Sequence, residues 1–295
     1  MVQLGHKEDK VVKVFNLDEA IKKQEKQQVS TIFAGLSGED DTAKTGIAFC
    51  IRNQEDFDKE RRIFVIDLDQ SAAPIKRFWG NDPRIICLNP TAFYEDGERI
   101  GEKDATKTLE NIRSAISQIK NLNPDTIAAI VFDGCDILLR NAEDSMKEED
   151  LGIDIYASGK AMGEAAKRGE IRRTDWRIRD RKYDTIIDLM KNLSFPVILI
   201  THMKEKKKMI YSAETGQTEL QVTDIIADWG KYTRAQCFQR IKCEKRDLKD
   251  KIEWVAIIEK SKGDPTMTGN EIIVMEKDKK TNKVIWKGFD WELFR

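Results

Sequence analysis

The amino-acid sequence predicts an α/β domain: a largely parallel sheet flanked by helices, with an antiparallel β extension towards its C-terminus. Three observations lead there. Continuous apolar runs of strand length, at residues 63–66, 126–132 and 196–200, alternate with stretches of helical period, of which Leu109, Ile112, Ile116 and Ile119 are the clearest. Several runs stop at carboxylates or other polar residues, and open parallel sheets carry their ligand sites at those ends. Beyond residue 203 the chain changes to period-two alternation punctuated by turns, the pattern of hairpins.

Composition narrows the class. At 295 residues the chain can bury a substantial core. Lys and Arg number 51 against 52 Asp and Glu, so a nucleic-acid contact needs a local basic patch and not a global field. Five cysteines (50, 87, 135, 237 and 243) show no C-x-x-C spacing. With only His6 and His202 beside them, they read as reduced, partly buried thiols and not as a zinc site. No apolar run reaches membrane-spanning length and the N-terminus lacks a signal-peptide core, so the expectation is a soluble, cytoplasmic protein with no membrane contact.

Taken in order, residues 1–28 read as a leader, a short strand and a charged helix, able to reach a neighbouring subunit. The core spans 29–276. Its first apolar run, 32–34, gives way to a polar loop, and residues 47–51 form the following helix. A charged segment, 53–62, leads into the strand at 63–66; 84–88 is a further strand and 94–104 an acidic loop. The helix through Leu109 and Ile119 starts after Asp104 or Thr106 as cap, and Asn123-Pro124-Asp125 breaks it. The strand at 126–133 ends in a carboxylate. Residues 140–175 form a long charged region, 176–193 an amphipathic helix, and 196–200 a strand running into Thr201-His202. Hairpins pair 207–211 with 218–222, 237–243 with 254–259 and 271–275 with 283–286, and the tail 277–295 packs on the core.

The chemistry concentrates in the first loop. Gly38, four intervening residues, then Ala43-Lys44-Thr45 reproduces the P-loop pattern G-x-x-x-x-G-K-[ST], with Ala for the second Gly. Small residues let backbone N–H groups wrap a phosphate. Lys44 is placed for the β- and γ-phosphates of ATP and the Thr45 hydroxyl for Mg²⁺. Gly38, Thr42, Ala43, Lys44, Thr45 and Gly46 are the nucleotide-contact candidates. Ala43 has less backbone freedom than Gly, and Glu39, Asp40 and Asp41 must point their charge away from a triphosphate. A second alignment starts the loop at Gly35 and treats the acids as an insertion; both keep Lys44 and Thr45 in the same roles. The plain alternative is an ordinary polar loop between strand and helix. Asp133, about 90 residues further on, fits a Walker B acid that holds Mg²⁺ directly or through water, although such carboxylates also end many ordinary strands.

In this order, P-loop, strand ending Asp67-Leu68-Asp69, strand ending Asp133, helix, strand ending Thr201-His202, the chain resembles the RecA-like (ASCE P-loop NTPase) ATPase core. Segment 175–204 is similar to phage-encoded RecA-like nucleotide-binding proteins of AAA type. The resemblance covers roughly residues 29–276. It implies a Mg²⁺-dependent ATP hydrolase that assembles as a ring or filament of identical subunits with ATP between them. By position, Asp69 would polarise the attacking water where the family more often has Glu. Asp67 is the second candidate, with a helix cap as its plain reading. His202 would sit at the sensor position that contacts the γ-phosphate. Lys260 and Lys262 match a pair of basic fingers that act on the neighbouring subunit's ATP, or else form a solvated turn.

The family's DNA loops correspond to 140–175, with Lys160, Lys167, Arg168, Arg172, Arg173 and Tyr156, and to 203–229, with Lys204, Lys206, Lys207, Lys208 and Tyr211. Solvated surface charge is the plain alternative. The resemblance therefore implies assembly on single-stranded DNA in recombination, annealing or replication of a virus or mobile element. A genome-packaging or translocating motor and a nucleotide-binding regulatory protein with little hydrolysis are the alternatives.

Overall fold

The computed structural model describes residues 32–95, 97–153, 155, 171–211 and 218–295. Its strands are β1 (Phe33–Gly38), β2 (Arg62–Asp67), β3 (Ile85–Leu88), β4 (Ala92–Phe93), β5 (Lys103–Asp104), β6 (Ile127–Asp133), β7 (Val197–Thr201), β8 (Met203–Tyr211), β9 (Thr218–Ala227), β10 (Gln239–Asp247), β11 (Lys251–Ser261), β12 (Glu271–Asp278) and β13 (Val284–Trp286). The helices are α1 (Lys44–Phe49), α2 (Gln54–Asp58), α3 (Ala72–Lys76), α4 (Ala105–Lys120), α5 (Cys135–Ser145), α6 (Trp176–Lys191) and α7 (Thr233–Gln236).

One nine-stranded sheet, in the order β13-β12-β11-β10-β1-β7-β6-β2-β3, organises the chain. From β3 to β10 every neighbour is parallel, and β11, β12 and β13 continue antiparallel. The sheet is thus largely parallel, helix-flanked and antiparallel at one edge, as the sequence pattern predicts. Successive side chains on a strand face opposite ways, so each central strand feeds two cores. Ala34, Leu36, Val131, Ile198 and Ile200 pack on the side of Ile47 and Phe289. Phe33, Ile130, Phe132, Val197 and Leu199 pack on the side of α4, α5 and α6.

The differences from expectation have local causes. β10 belongs to the parallel part, because it docks directly against β1 before turning back as β11. β8 and β9 leave the main sheet and form a ribbon of their own, longer than expected. Part of the charged region at 140–175 is ordered helix: α5 reaches Ser145 and a wider π turn continues to Asp150. Its acids are paired, Glu148 with Arg99 and both Glu149 and Asp150 with Lys182. Helix α2, inside the charged segment 53–62, is closed by a reciprocal capping box between Asn53 and Asp56. Asp104, not Thr106, caps α4 by accepting from the Lys107 amide. The leader at 1–28, the residues Tyr156, Lys160, Lys167 and Arg168, and the turn at 214–216 lie outside the described residues.

Helix α1 is wholly buried because the C-terminal tail lies over it. Trp291 Nε1 donates to the Ile47 carbonyl at 2.9 Å, and Arg295 reaches the Ile51 carbonyl at 3.2 Å and Asp56 at 3.3 Å. Trp286 comes so close that a Cβ on Gly46 would lie 3.0 Å from its ring. Trp291→Ala removes a side chain that is 2% exposed together with its hydrogen bond. It should cost about 3–5 kcal/mol, read as a lower urea midpoint. An unchanged midpoint would mean that the tail does not brace α1.

Candidate active site

Because β1, β7, β6 and β2 are parallel neighbours in register, their carboxyl ends form one row. Gly38, the last residue of β1, is set by crowding: a Cβ there would lie 2.5 Å from both the Cys243 carbonyl oxygen and Thr42 Oγ1. The following loop turns through left-handed residues at Asp41 (φ 56°) and Ala43 (φ 65°), a conformation that favours glycine. Ala43 adopts it with its Cβ in place.

The loop's carbonyls face inward. Lys44 Nζ donates to the Gly38 and Glu39 carbonyls at 2.9 and 2.6 Å and to Thr42 Oγ1 at 3.3 Å. Thr42 Oγ1 donates in turn to the Glu39 carbonyl, and Trp254 Nε1 to the Asp41 carbonyl at 2.6 Å. Asp40 and Asp41 form a turn that brings the Thr42 amide towards the Glu39 carbonyl, and among the described residues the amides of 40, 41 and 43 donate to no partner. Those amides are left available to an anion. Burial pushes the Lys44 ammonium below its ordinary range, against the pull of Asp133, Asp40 and Asp69.

Thr45 Oγ1 donates to Asp133 Oδ2 at 2.8 Å, and Ser71 Oγ reaches the same oxygen at 3.3 Å. Burial raises the Asp133 carboxyl to about 6; the two hydroxyls oppose the rise, and Asp67 and Asp69 reinforce it. No cluster of three or more His, Cys, Asp or Glu able to hold a metal occurs among the described residues. A cation here would rest on two protein oxygens, with phosphate and water completing its shell, and Mg²⁺ is commonly held that way. Thr45 and Asp133 fit that ion; when bound, it would neutralise charge on the phosphates.

The two acids closing β2 differ. Asp67 is buried and accepts the Ser71 and Ala72 amides at 3.2 and 3.1 Å, so its carboxylate holds the start of α3. Asp69 is half-exposed, with Oδ2 3.8 Å from His202 Nε2. His202, just past β7, also has Asp40 Oδ1 3.2 Å from Nε2 and Asp136 Oδ1 3.2 Å from Nδ1. Its hydrogen bond to Asp136 raises its pKa, with the charges of Asp136 and Asp69 adding; partial burial and Lys44 oppose.

Lys44, Thr45, Asp133, Asp69 and His202 therefore meet at one end of the sheet, with Gly38, Thr42, Ala43 and Gly46 around them. Lys260 and Lys262 do not join them. Lys260 lies on β11 itself, since the ladder with β10 continues to Ser261 past a bulge, and Nζ is bound to the Cys237 and Ala235 carbonyls. Ala256 is the β11 residue level with Gly38, through Cys243. Lys260 is four residues on, roughly 13 Å towards the opposite end of the sheet. Lys262 Nζ stands 5.0 Å from the Phe238 ring. Residues that the sequence reading omitted also shape the site: Asp136 and Ser71 through the contacts above, Trp254 by holding the loop, and Gly134, left-handed at φ 103° between Asp133 and α5. Asp136, three residues after Asp133 in the first turn of the next helix, carried a readable signal.

No protein-family model and no curated protein matches the chain. Among solved structures it is similar to a RadB recombinase, with 14% identity and a TM-score of 0.43 over 83% of this chain and 87% of that one. It is similar also to a KaiC-like protein of Pyrococcus horikoshii OT3, with 10% identity and a TM-score of 0.42 over 87% and 90%.

Asp133 generates a pH dependence. In the nucleotide-free protein it takes up a proton as pH falls through about 6, and the protonated acid is a poor metal ligand. If Asp133 holds Mg²⁺ beside a bound ATP, the Mg²⁺-dependent part of ATP affinity should decline from pH 7 to pH 5, read by titration calorimetry with and without Mg²⁺. Asp133→Asn should flatten that dependence. An equal pH response in both proteins would rule Asp133 out as a metal ligand.

Proposed function

We propose that the chain is a Mg²⁺-dependent ATPase of the RecA-like class, acting as an assembly of identical subunits. The observation that carries this reading is the meeting of Thr45 with Asp133 beside Lys44, across a sheet in which β7 separates the P-loop strand from the acid-bearing strand. In this reading the amides of 40, 41 and 43 take phosphate oxygens, and Lys44 leaves its carbonyl partners for the β- and γ-phosphates. Asp69, half-exposed and outside the helix-capping role of Asp67, orients water. His202 meets the terminal phosphate.

The ribbon β8/β9 starts directly at His202 and is rooted there. Thr201 Oγ1 donates to the Asp228 carbonyl at 2.6 Å, the Asp228 amide to the His202 carbonyl at 2.8 Å, and Lys204 pairs with Asp228. Lys204, Lys206 and Lys207 are exposed on the same strand. They support single-stranded DNA as partner, because phosphates would meet these lysines, two of them now paired with Asp228 and Glu205, on a ribbon joined to His202. No helix among the described residues is long and apolar enough to cross a membrane, and we place the work inside the cell, with a virus or mobile element as its setting. One observation favours a second reading, a nucleotide-binding regulator with little turnover: Lys44 is held by its own loop, and Ala43 sits where glycine is favoured.

Lys44→Ala should abolish Mg-ATP binding without lowering the unfolding midpoint, and Asp69→Asn should bind ATP yet lose about 10²-fold in turnover. Asp67→Asn should instead lose stability. Normal ATP affinity in Lys44→Ala would end the reading. Parent turnover near zero, even with single-stranded DNA, would favour the regulator.

The distance of Lys260 and Lys262 from Lys44 within one subunit suits action on a neighbour. Lys260→Ala/Lys262→Ala subunits keep their P-loop, and Lys44→Ala subunits keep their lysines. Mixtures shown to co-assemble should regain part of the activity that each lacks, since a basic finger contributes about 10³–10⁵ in rate. Full activity in a monomeric preparation would exclude trans action.

A further inference from the structure

The contacts of His202 leave one group without a function. Asp136 stands on the first turn of α5, three residues past Asp133, and is buried at 5% exposure. Its two oxygens are divided: Oδ1 lies 3.2 Å from His202 Nδ1, and Oδ2 accepts from Arg140 Nη2 at 3.0 Å. A carboxylate accepts but does not donate, so the Nδ1 position carries the proton in this pair. Nε2 is then the nitrogen turned to the nucleotide side, 3.2 Å from Asp40 and 3.8 Å from Asp69.

We propose that Asp136 is the positioning residue of His202: it holds the Nδ1 proton and the plane of the ring and favours the imidazolium, whose Nε2–H then faces the terminal phosphate of a nucleotide in the loop. This rests on the ATPase reading given above. A histidine's second nitrogen is commonly tied to a carboxylate where the first must act in a defined state. Without that tie the ring could flip, and the imidazolium, which donates from Nε2 while Nδ1 keeps its proton, would give up that proton at a lower pH.

The groups facing the ring all bear on its titration. Asp136 from α5, Asp69 from the end of β2 and Asp40 from the loop favour the imidazolium. Lys44 from α1 disfavours it, and Arg140 acts through Asp136. The same pair holds the Asp136 carboxyl low: burial pushes it up, but the His202 hydrogen bond and charge, with Arg140, outweigh burial.

The chain has two histidines, so a His6→Ala background leaves a single imidazole for ¹H–¹⁵N spectroscopy of the full-length, nucleotide-free protein. The neutral ring should show its proton on Nδ1, and its midpoint should lie above the ordinary histidine value. Asp136→Asn, close in shape, should lower the midpoint by about one unit, a tenfold change in proton affinity. In turnover, Asp136→Asn should lower kcat about tenfold near neutral pH with the KM for ATP within about twofold. The limb on which kcat falls at high pH should move down with the midpoint. A neutral ring protonated on Nε2 in the parent, or a midpoint untouched by Asp136→Asn, overturns the proposal. The titration is measured without nucleotide, so a parent that shows the coupling but turns over no ATP sinks the functional reading and not the Asp136–His202 pair.

Discussion

The hydrogen bond from Thr45 to Asp133 joins a helix that follows β1 to a strand two places away in the sheet. It forms at the end of β6, where the carboxylate is 2% exposed. A carboxylate so placed is costly unless polar groups meet it, and the hydroxyls of Thr45 and Ser71 are those groups. Satisfying one buried acid thus fixes α1 and the start of α3 against the same strand end. Asp67 reinforces the second attachment by accepting the first amides of α3. Strand β7, enclosed between β1 and β6, ends in the fully buried Thr201, so the next residue, His202, is the first free to turn towards the loop.

Two other elements hold the loop from its far side. β10 comes so close to Gly38 that only hydrogen fits between them, and Trp254 on β11 binds the Asp41 carbonyl. Trp286, Trp291 and Arg295 then close over α1. The antiparallel edge and the C-terminal tail are therefore parts of the support of the loop between β1 and α1 and not appendages of the sheet. The ribbon β8/β9 is tied to His202 through Asp228, and a load on the ribbon would bear on the histidine's backbone.

Much of this was legible in the sequence because it follows from periodicity and from polar residues that end apolar runs. The strands ending in Asp67, Asp133 and Thr201 were readable in this way, as was Asp104 as one of two caps for α4. The membership of β10 in the parallel part was not, because its own alternation is the same beside a parallel or an antiparallel partner. Paired acids such as Glu148 with Arg99 look like solvated charge until both ends are placed. The difference between Asp67 and Asp69 depends on which carboxylate folds back onto α3. The partner of His202 is Asp136, 66 residues earlier in the first turn of α5.

Ala43 has a consequence for affinity. A residue with a Cβ in the left-handed region lies roughly 1 kcal/mol above relaxed backbone, so the shape that the loop takes at Ala43 is about fivefold less populated than a glycine there would allow. On the proposed reading, a nucleotide that needs this shape binds with an affinity lower by up to the same factor, because the backbone cost recurs each time the empty loop is recruited.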